Sequence, residues 1–192
     1  MLRRNLLAAA ALALLPFGAF ASEPPADAPV IDIEVAGEAQ GTIRIALRPD
    51  LAPNHVAQIL SLAREGAYDG VVFHRVIDGF MAQTGDVEFG RQSGDMARAG
   101  MGGSNLPDLR AEFSDEPFER GVVGMARSQS PHSANSQFFI MFAPAPHLNG
   151  QYTVVGQVIE GLDVLDAIKR GRGPNGAIIG APDYMADVTV EE

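Results

Sequence analysis

The chain has 192 residues, a formal charge of −10 and no cysteine. Its acidic balance argues against nucleic acid and anionic membranes as partners, because both are bound through clustered Lys and Arg. Without cysteine there is no disulfide, and an oxidising compartment leaves the fold unaffected.

The chain opens with Met1-Leu2-Arg3-Arg4, an apolar run from Leu6 to Leu15, Pro16, and Ala19-Phe20-Ala21 ahead of Ser22. A basic head, a short apolar run and small residues at −3 and −1 describe a secretory signal peptide, residues 1–21, cleaved after Ala21. Ten apolar residues are too few to span roughly 30 Å of hydrocarbon, so an anchor is set aside and no membrane association is expected after cleavage. A periplasmic destination is expected ahead of full secretion. Cleavage removes two arginines and no acids, which takes the charge from −10 to −12, and leaves 171 residues, enough for one core. Residues 22–29, with three prolines and two acids, read as a flexible leader, and 30–192 as one domain.

Ile31, Ile33 and Val35 alternate with Asp32 and Glu34, and Ile43, Ile45 and Leu47 with Arg44 and Ala46. That period of two, broken by Ala36–Gly41, predicts a β-hairpin with one buried face. Pro53–Glu65 carries Val56, Ile59, Leu60 and Ala63 on one helical face, with Pro53 in the first turn and Gly66 as the stop. His55 reads as a solvated first-turn residue. Phe73–Asp86 then reads as strand, Asp78-Gly79 turn and strand, with Met81 and Gln83 on one face. Arg75 within it either reaches solvent or faces a cavity that uses its charge, because an unpaired buried guanidinium is costly.

Residues 87–107, rich in Gly, Arg, Asp and Ser, predict a long ordered loop. Gly100-Met101-Gly102-Gly103-Ser104 lacks the Gly-Lys-Ser/Thr ending of a phosphate cradle, so its glycines are read as backbone devices. Val122–Ala126, Phe138–Phe142 and Tyr152–Val158 predict strands, Pro144–Gln151 a loop, Leu162–Ile168 a second short helix stopped near Gly171, and Asp187–Glu191 a closing strand. About eight strands and two helices that do not alternate with them predict an antiparallel barrel or sandwich with helices at its ends. Alternation puts Phe138 and Phe139 on opposite faces, one filling the core and the other free to line a pocket.

Several chemistries find little support. His55, His74, His132 and His147 have no metal-ligand spacing. Ser136 has no nucleophile motif around it, and Asp86, Glu88, Asp108 and Glu112 are acids of the kind common on an acidic surface. No metal and no cofactor is expected.

Phe73-His74-Arg75-Val76-Ile77, followed by Gly79-Phe80-Met81-x-Gln83-x-Gly85-Asp86, resembles the signature of the cyclophilins. The resemblance continues through Met125-Ala126-Arg127, Ser136-Gln137-Phe138-Phe139-Ile140, Leu148-Asn149-Gly150 and Val154-Val155-Gly156, in order, over nearly all of 30–191, and is to the short-looped bacterial kind. It implies a mainly β fold, an eight-stranded antiparallel closed barrel capped by two helices, and peptidyl-prolyl cis-trans isomerase activity on proline-containing polypeptides. By position it implies that Arg75 is catalytic and that Gln83 helps hold the substrate carbonyl. It likewise implies that Phe80, Met81, Phe139 and Leu148 form a proline pocket. Ala126 and Arg127 would offer backbone to an extended substrate, with Gln137 beside the residues before proline and His74 and Tyr152 at the rim. His147 stands where the best-known eukaryotic members have a tryptophan that their inhibitor cyclosporin uses, so weak cyclosporin binding is expected. A monomer assisting the folding of exported proteins is the expected state, and a non-catalytic module that holds proline segments is the alternative.

Overall fold

The computed structural model describes residues 21–94 and 96–191. Of the export-signal reading, residues 1–20 lie outside them. Nine strands form one antiparallel sheet: β1 (Val30–Ala36), β2 (Gly41–Leu47), β3 (Val71–Val72), β4 (Arg75–Ile77), β5 (Met81–Thr84), β6 (Val122–Met125), β7 (Phe138–Met141), β8 (Val154–Glu160) and β9 (Tyr184–Glu191). Their order is β3-β9-β1-β2-β8-β6-β7-β5-β4. β3 and β4, the two ends of that order, are separated in the chain by Phe73–His74 alone, so the sheet curls into a barrel. Its seam is a covalent link and not a hydrogen-bonded ladder. The ninth strand, Val71–Val72, precedes the stretch that the sequence marks as strand from Phe73 onward; it pairs with β9, and Phe73 N–H extends that pairing to the carbonyl of Asp183, so the hairpin strand itself starts only at Arg75.

The alternating apolar residues of β1 and β2 all turn inward. Ile31, Ile33, Val35, Ile43, Ile45 and Leu47 are at most 2% exposed, each a burial of roughly 1.5–3 kcal/mol. On the other face Asp32 opposes Arg44, with Arg44 Nε 2.9 Å from the carboxylate. Helix α1 (Pro53–Arg64) closes one end, burying Val56, Ile59, Leu62 and Ala63 and packing against β9. His55, expected in solvent, is fully buried. Its Nδ1 lies 2.6 Å from Glu112 Oε2, and the same carboxylate accepts the first-turn N–H groups of Asn54 and His55. Glu112 thus supplies the helix cap that Ala52 has no side chain to make, and it brings a loop over His55.

Helix α2 (Leu162–Ala167) ends four residues before Gly171, because Lys169 N–H turns to the buried carboxylate of Asp183 at 2.7 Å. β8 begins at Val154, two residues later than the pattern suggests. Thr153 accepts from Met125 N–H, and Tyr152 turns towards the aromatic cluster around Phe139. The loop at 144–151 holds one turn of 3-10 helix, Pro146–Leu148.

Two apolar clusters result. The larger fills the barrel and underlies the helices, and includes Phe138, Phe142, Tyr68 and Ile140. The smaller lies outside it and gathers Met81, Phe118, Phe139, Met141 and Leu148. Phe138 and Phe139 therefore do part company across β7, as alternation requires.

Candidate active site

The strand register builds the site. Across β4, β5, β7 and β6, Arg75 faces Gln83, Gln83 faces Phe139, and Phe139 faces Gly124. One row of the sheet thereby carries a cation, an amide, an aromatic ring and a gap. The gap is required: a Cβ on Gly124 would lie 2.6 Å from the rings of both Phe118 and Phe139. Phe118 stacks on Phe139 with centroids 5.7 Å apart, and Tyr152 meets Phe139 edge-on at 5.7 Å.

Phe139 and Tyr152, backed by Phe118, floor a cavity of about 160 Å³ lined by Arg75, Phe80, Met81, Gln83, Ala126, Arg127, Phe139, Leu148 and Tyr152. Nine of the twelve positions that the resemblance singles out thus converge on one depression. Gln137 lies outside that lining and enters a larger adjoining groove of about 370 Å³, which shares Gln83, Ala126 and Arg127 and is otherwise walled by Gly100–Ser104, Asp108, Ser128, Ser133 and Asn135. His147 is exposed and stacks on Phe80 with centroids 5.7 Å apart.

Arg75 is held rigidly. Nη1 donates to Gln83 Oε1 at 3.0 Å, Nε to the carbonyl of Asn175 at 3.0 Å, and Nη2 to Asn175 Oδ1 at 3.1 Å. All three acceptors are neutral, and among the described residues no carboxylate pairs with the charge. Of the five N–H donors of a guanidinium, a second contact from Nη1 reaches only Met81 Sδ, at 3.9 Å. Sulfur is a weak acceptor, so a better acceptor entering the cavity can take that donor. Burial lowers the affinity of Arg75 for its proton, and Tyr152 partly offsets this. Arginine starts high enough to stay charged regardless.

Gln83 is the hinge of a polar relay. Its Nε2 donates to Gln137 Oε1 at 3.0 Å, and Gln137 Nε2 donates to the carbonyls of Gly100 and Gly102 at 3.1 and 2.7 Å. The loop at 87–107 is pinned from below by Asp86, which is fully buried and accepts the N–H groups of Glu88, Phe89, Gly100 and Gly102. Arg127 lies over the Tyr152 ring at 4.3 Å and donates to the carbonyls of Ser128 and Gln151, so its charge faces away from the cavity floor.

His74, expected at the rim, lines a third depression of about 340 Å³ beside Arg75, Gln83 and Asn175, although it is only 6% exposed itself. It lies under Gly100: a Cβ there would come within 2.9 Å of the imidazole, and Gly100 has φ +92°. Among the described residues neither ring nitrogen has a hydrogen bond of good geometry, the Val72 backbone being a weak partner at most. Burial, with a smaller contribution from Arg75, pushes its pKa down to about 4 against the pull of Asp86 and of the Val72 backbone.

Two residues hold this site together without having been assigned a site role from the sequence: Asp86, there a common surface acid and the end of the signature, and Asn175. Asn175 is the one non-glycine residue with positive φ (+55°) among the described residues. The turn Gly173-Pro174-Asn175-Gly176 was a visible signal for such a conformation, although nothing local says that it lies against Arg75, 100 residues away.

The family model described as cyclophilin type peptidyl-prolyl cis-trans isomerase/CLD matches residues 30–190. A protein of Brucella suis biovar 1 named "Probable peptidyl-prolyl cis-trans isomerase" is 56% identical over 190 residues, 98% of this chain and 96% of that one. The crystal structure of a cyclophilin from Hirschia baltica is similar with a TM-score of 0.66 and 28% identity, covering 83% of this chain and 73% of that one. A cyclophilin type peptidyl-prolyl cis-trans isomerase of Cryptosporidium parvum, crystallised in the presence of the dipeptide Ala-Pro, shares the fold with a TM-score of 0.71. Its identity is 24%, and the alignment covers 85% of this chain and 99% of that one.

Proposed function

The chain belongs to the cyclophilin-type peptidyl-prolyl cis-trans isomerases, and from that membership we propose that Arg75 catalyses rotation about X-Pro bonds of exported polypeptides. The observation that carries this is the clamped, uncancelled Arg75 guanidinium at the edge of the apolar cavity floored by Phe139 and Met81.

A peptide bond resists rotation by roughly 18–20 kcal/mol through amide resonance. At the half-turned transition state the proline nitrogen becomes pyramidal and regains a lone pair. A donor aimed at that nitrogen bonds the twisted form and not the planar one, so it lowers the barrier without merely tightening binding. Arg75 suits the task, because three of its N–H groups are spent on fixing it and the one beside Met81 is weakly engaged. The cavity holds the ring and excludes water, which strengthens the contact. Gln83, set by the relay to Gln137, bounds the carbonyl side, and the backbone of Ala126 and Arg127 lies along the adjoining groove. Uncatalysed isomerisation takes roughly tens to hundreds of seconds, so millisecond turnover asks for about 10⁵-fold, or about 7 kcal/mol.

The working unit proposed is a monomer. The N-terminal pattern supports export to the periplasm, with clients among the proteins that fold there. The likeness to the Brucella suis protein also covers 98% of the chain and so extends ahead of residue 30. The exposed imidazole of His147 in place of an indole supports weak cyclosporin binding. A protease-coupled assay on X-Pro peptides tests the enzymatic reading. The wild-type chain should accelerate isomerisation and Arg75→Ala should lose most of that acceleration. A wild type that binds the peptides yet leaves the uncatalysed rate unchanged would make it the holding module instead.

A further inference from the structure

We propose that Glu116 and Arg48 form a receptor for the chain's own processed N-terminus, reading the α-ammonium and hydroxyl of Ser22. The inference rests on the proposed cleavage after Ala21. Ser22 N lies 2.6 Å from Glu116 Oε1, and Ser22 Oγ lies 2.7 Å from Glu116 Oε2. One carboxylate thus grips the backbone nitrogen and the side chain of the same residue. From the other side Arg48 Nη1 donates to Ser22 Oγ at 3.0 Å and to the Ser22 carbonyl at 3.3 Å. Every polar atom of Ser22 is therefore engaged.

With Ser22 seated between them, the Arg48 and Glu116 side chains are only 7% and 9% exposed and stand 3.7 Å apart. Arg48 is fixed in turn by Asp50, which accepts from Nε at 2.9 Å and from Nη2 at 2.8 Å. Two carboxylates against one guanidinium leave a formal charge of −1, the complement of one ammonium. Hydrolysis of the Ala21–Ser22 bond consumes one water. It leaves a carboxylate on Ala21 and, once protonated, an ammonium on Ser22. The nitrogen already at Glu116 then exchanges a single neutral N–H for a charged group with three, and a charge-assisted hydrogen bond is roughly twice as strong as a neutral one. Processing at this bond, and not one residue to either side, places the new charge on the waiting carboxylate. Glu116 is two residues from Phe118, which stacks on Phe139, so the anchored end adjoins the wall of the candidate active site.

The test compares the chain beginning at Ser22 with the chain that keeps Ala21 in front of it, each with and without Glu116→Gln. Residues 22–192 contain every strand and helix described. In the chain beginning at Ser22, Glu116→Gln should lower the thermal midpoint by about 2–4 °C more than in the extended chain. It should also make acetylation of the Ser22 amine by an N-hydroxysuccinimide ester several-fold faster, read by mass spectrometry. Equal losses of midpoint in the two chains, or an acetylation rate unmoved by Glu116→Gln, overturns the proposal. Should the variant not fold, wild-type chain acetylated at Ser22 takes its place. A lower midpoint than the free amine supports the receptor, and an equal one overturns it. Both chains are released from an N-terminal tag by a protease in vitro, so the comparison stands whether or not cells cut after Ala21. Sequencing the N-terminus of the exported protein tests that reading separately.

Discussion

Acidification should destabilise this protein through His74 well before its carboxylates titrate. The ring is buried beneath Gly100 with no hydrogen bond of good geometry at either nitrogen, and burial pushes its pKa down to about 4 from 6.5. The folded state holds the imidazole neutral while the unfolded chain takes up a proton. Stability is therefore fully present above pH 6.5 and declines as the pH falls through that value towards 4. At pH 4.5 the linkage amounts to about 2.5 kcal/mol, or a drop of about 5–10 °C in the midpoint for a chain of this size. Asp50 and Glu112 also have lowered pKa values. Arg48 holds Asp50 down; burial would raise Glu112, but its hydrogen bonds from His55 and Asn54 outweigh that. Their contributions are full well above the ordinary values of 3.8 and 4.5 and are lost as the pH falls through them, which leaves most of the window between 6.5 and 4.5 to His74. The assay is thermal unfolding followed by circular dichroism at pH 7 and pH 4.5 for wild type and His74→Gln. The variant starts lower, but it should lose far less than wild type between the two pH values. Parallel losses would show that His74 is not the buried neutral base described, and would refute the reasoning.

Asn175→Gly keeps the positive φ and the backbone carbonyl but removes Oδ1 from Arg75. Loss of one bond to a charged group, about 1.5 kcal/mol, should reduce kcat roughly tenfold with little change in KM, and wild-type kcat would mean that the Asn175 side chain does not position the guanidinium. Placing an indole at the edge of Phe80 by His147→Trp should tighten cyclosporin about tenfold, a gain of about 1.4 kcal/mol, with isomerase activity retained. The natural chain has no tryptophan, so the new fluorescence reports binding directly, and an unchanged affinity would remove position 147 from the account of cyclosporin sensitivity.

Where period and burial agree, the sequence was a reliable guide. The alternation of Ile31, Ile33 and Val35 and the face of Val56 and Ile59 in α1 reflect a single boundary between core and water, which a local pattern records. The opposition of Phe138 and Phe139 was legible for the same reason. Features set by distant partners were not. His55 looks solvated until Glu112, 57 residues on, closes over it, and His74 looks like a rim residue until Gly100 covers it. The extra strand Val71–Val72 and the start of the hairpin strand at Arg75 follow from pairing with β9 more than 100 residues on, and the early end of α2 from the claim of Asp183 on Lys169 N–H. In the candidate site, the motif placed Arg75, Gln83 and the cavity-lining residues in one neighbourhood. The clamp on Arg75 depends on Asn175, whose contribution is a contact across 100 residues that no local pattern encodes.

The central claim is that Arg75 acts on the twisted imide and not on the bound ground state. Line-shape and exchange spectroscopy on an Ala-Pro-containing peptide separates the two quantities, giving the catalysed interconversion rate and the dissociation constant from one titration. For Arg75→Ala the account predicts a fall of about 100-fold in the interconversion rate, about 2.7 kcal/mol of lost transition-state stabilisation, with the dissociation constant changed by no more than a few-fold. A variant that binds the peptide far more weakly while turning it over at the wild-type rate would contradict it.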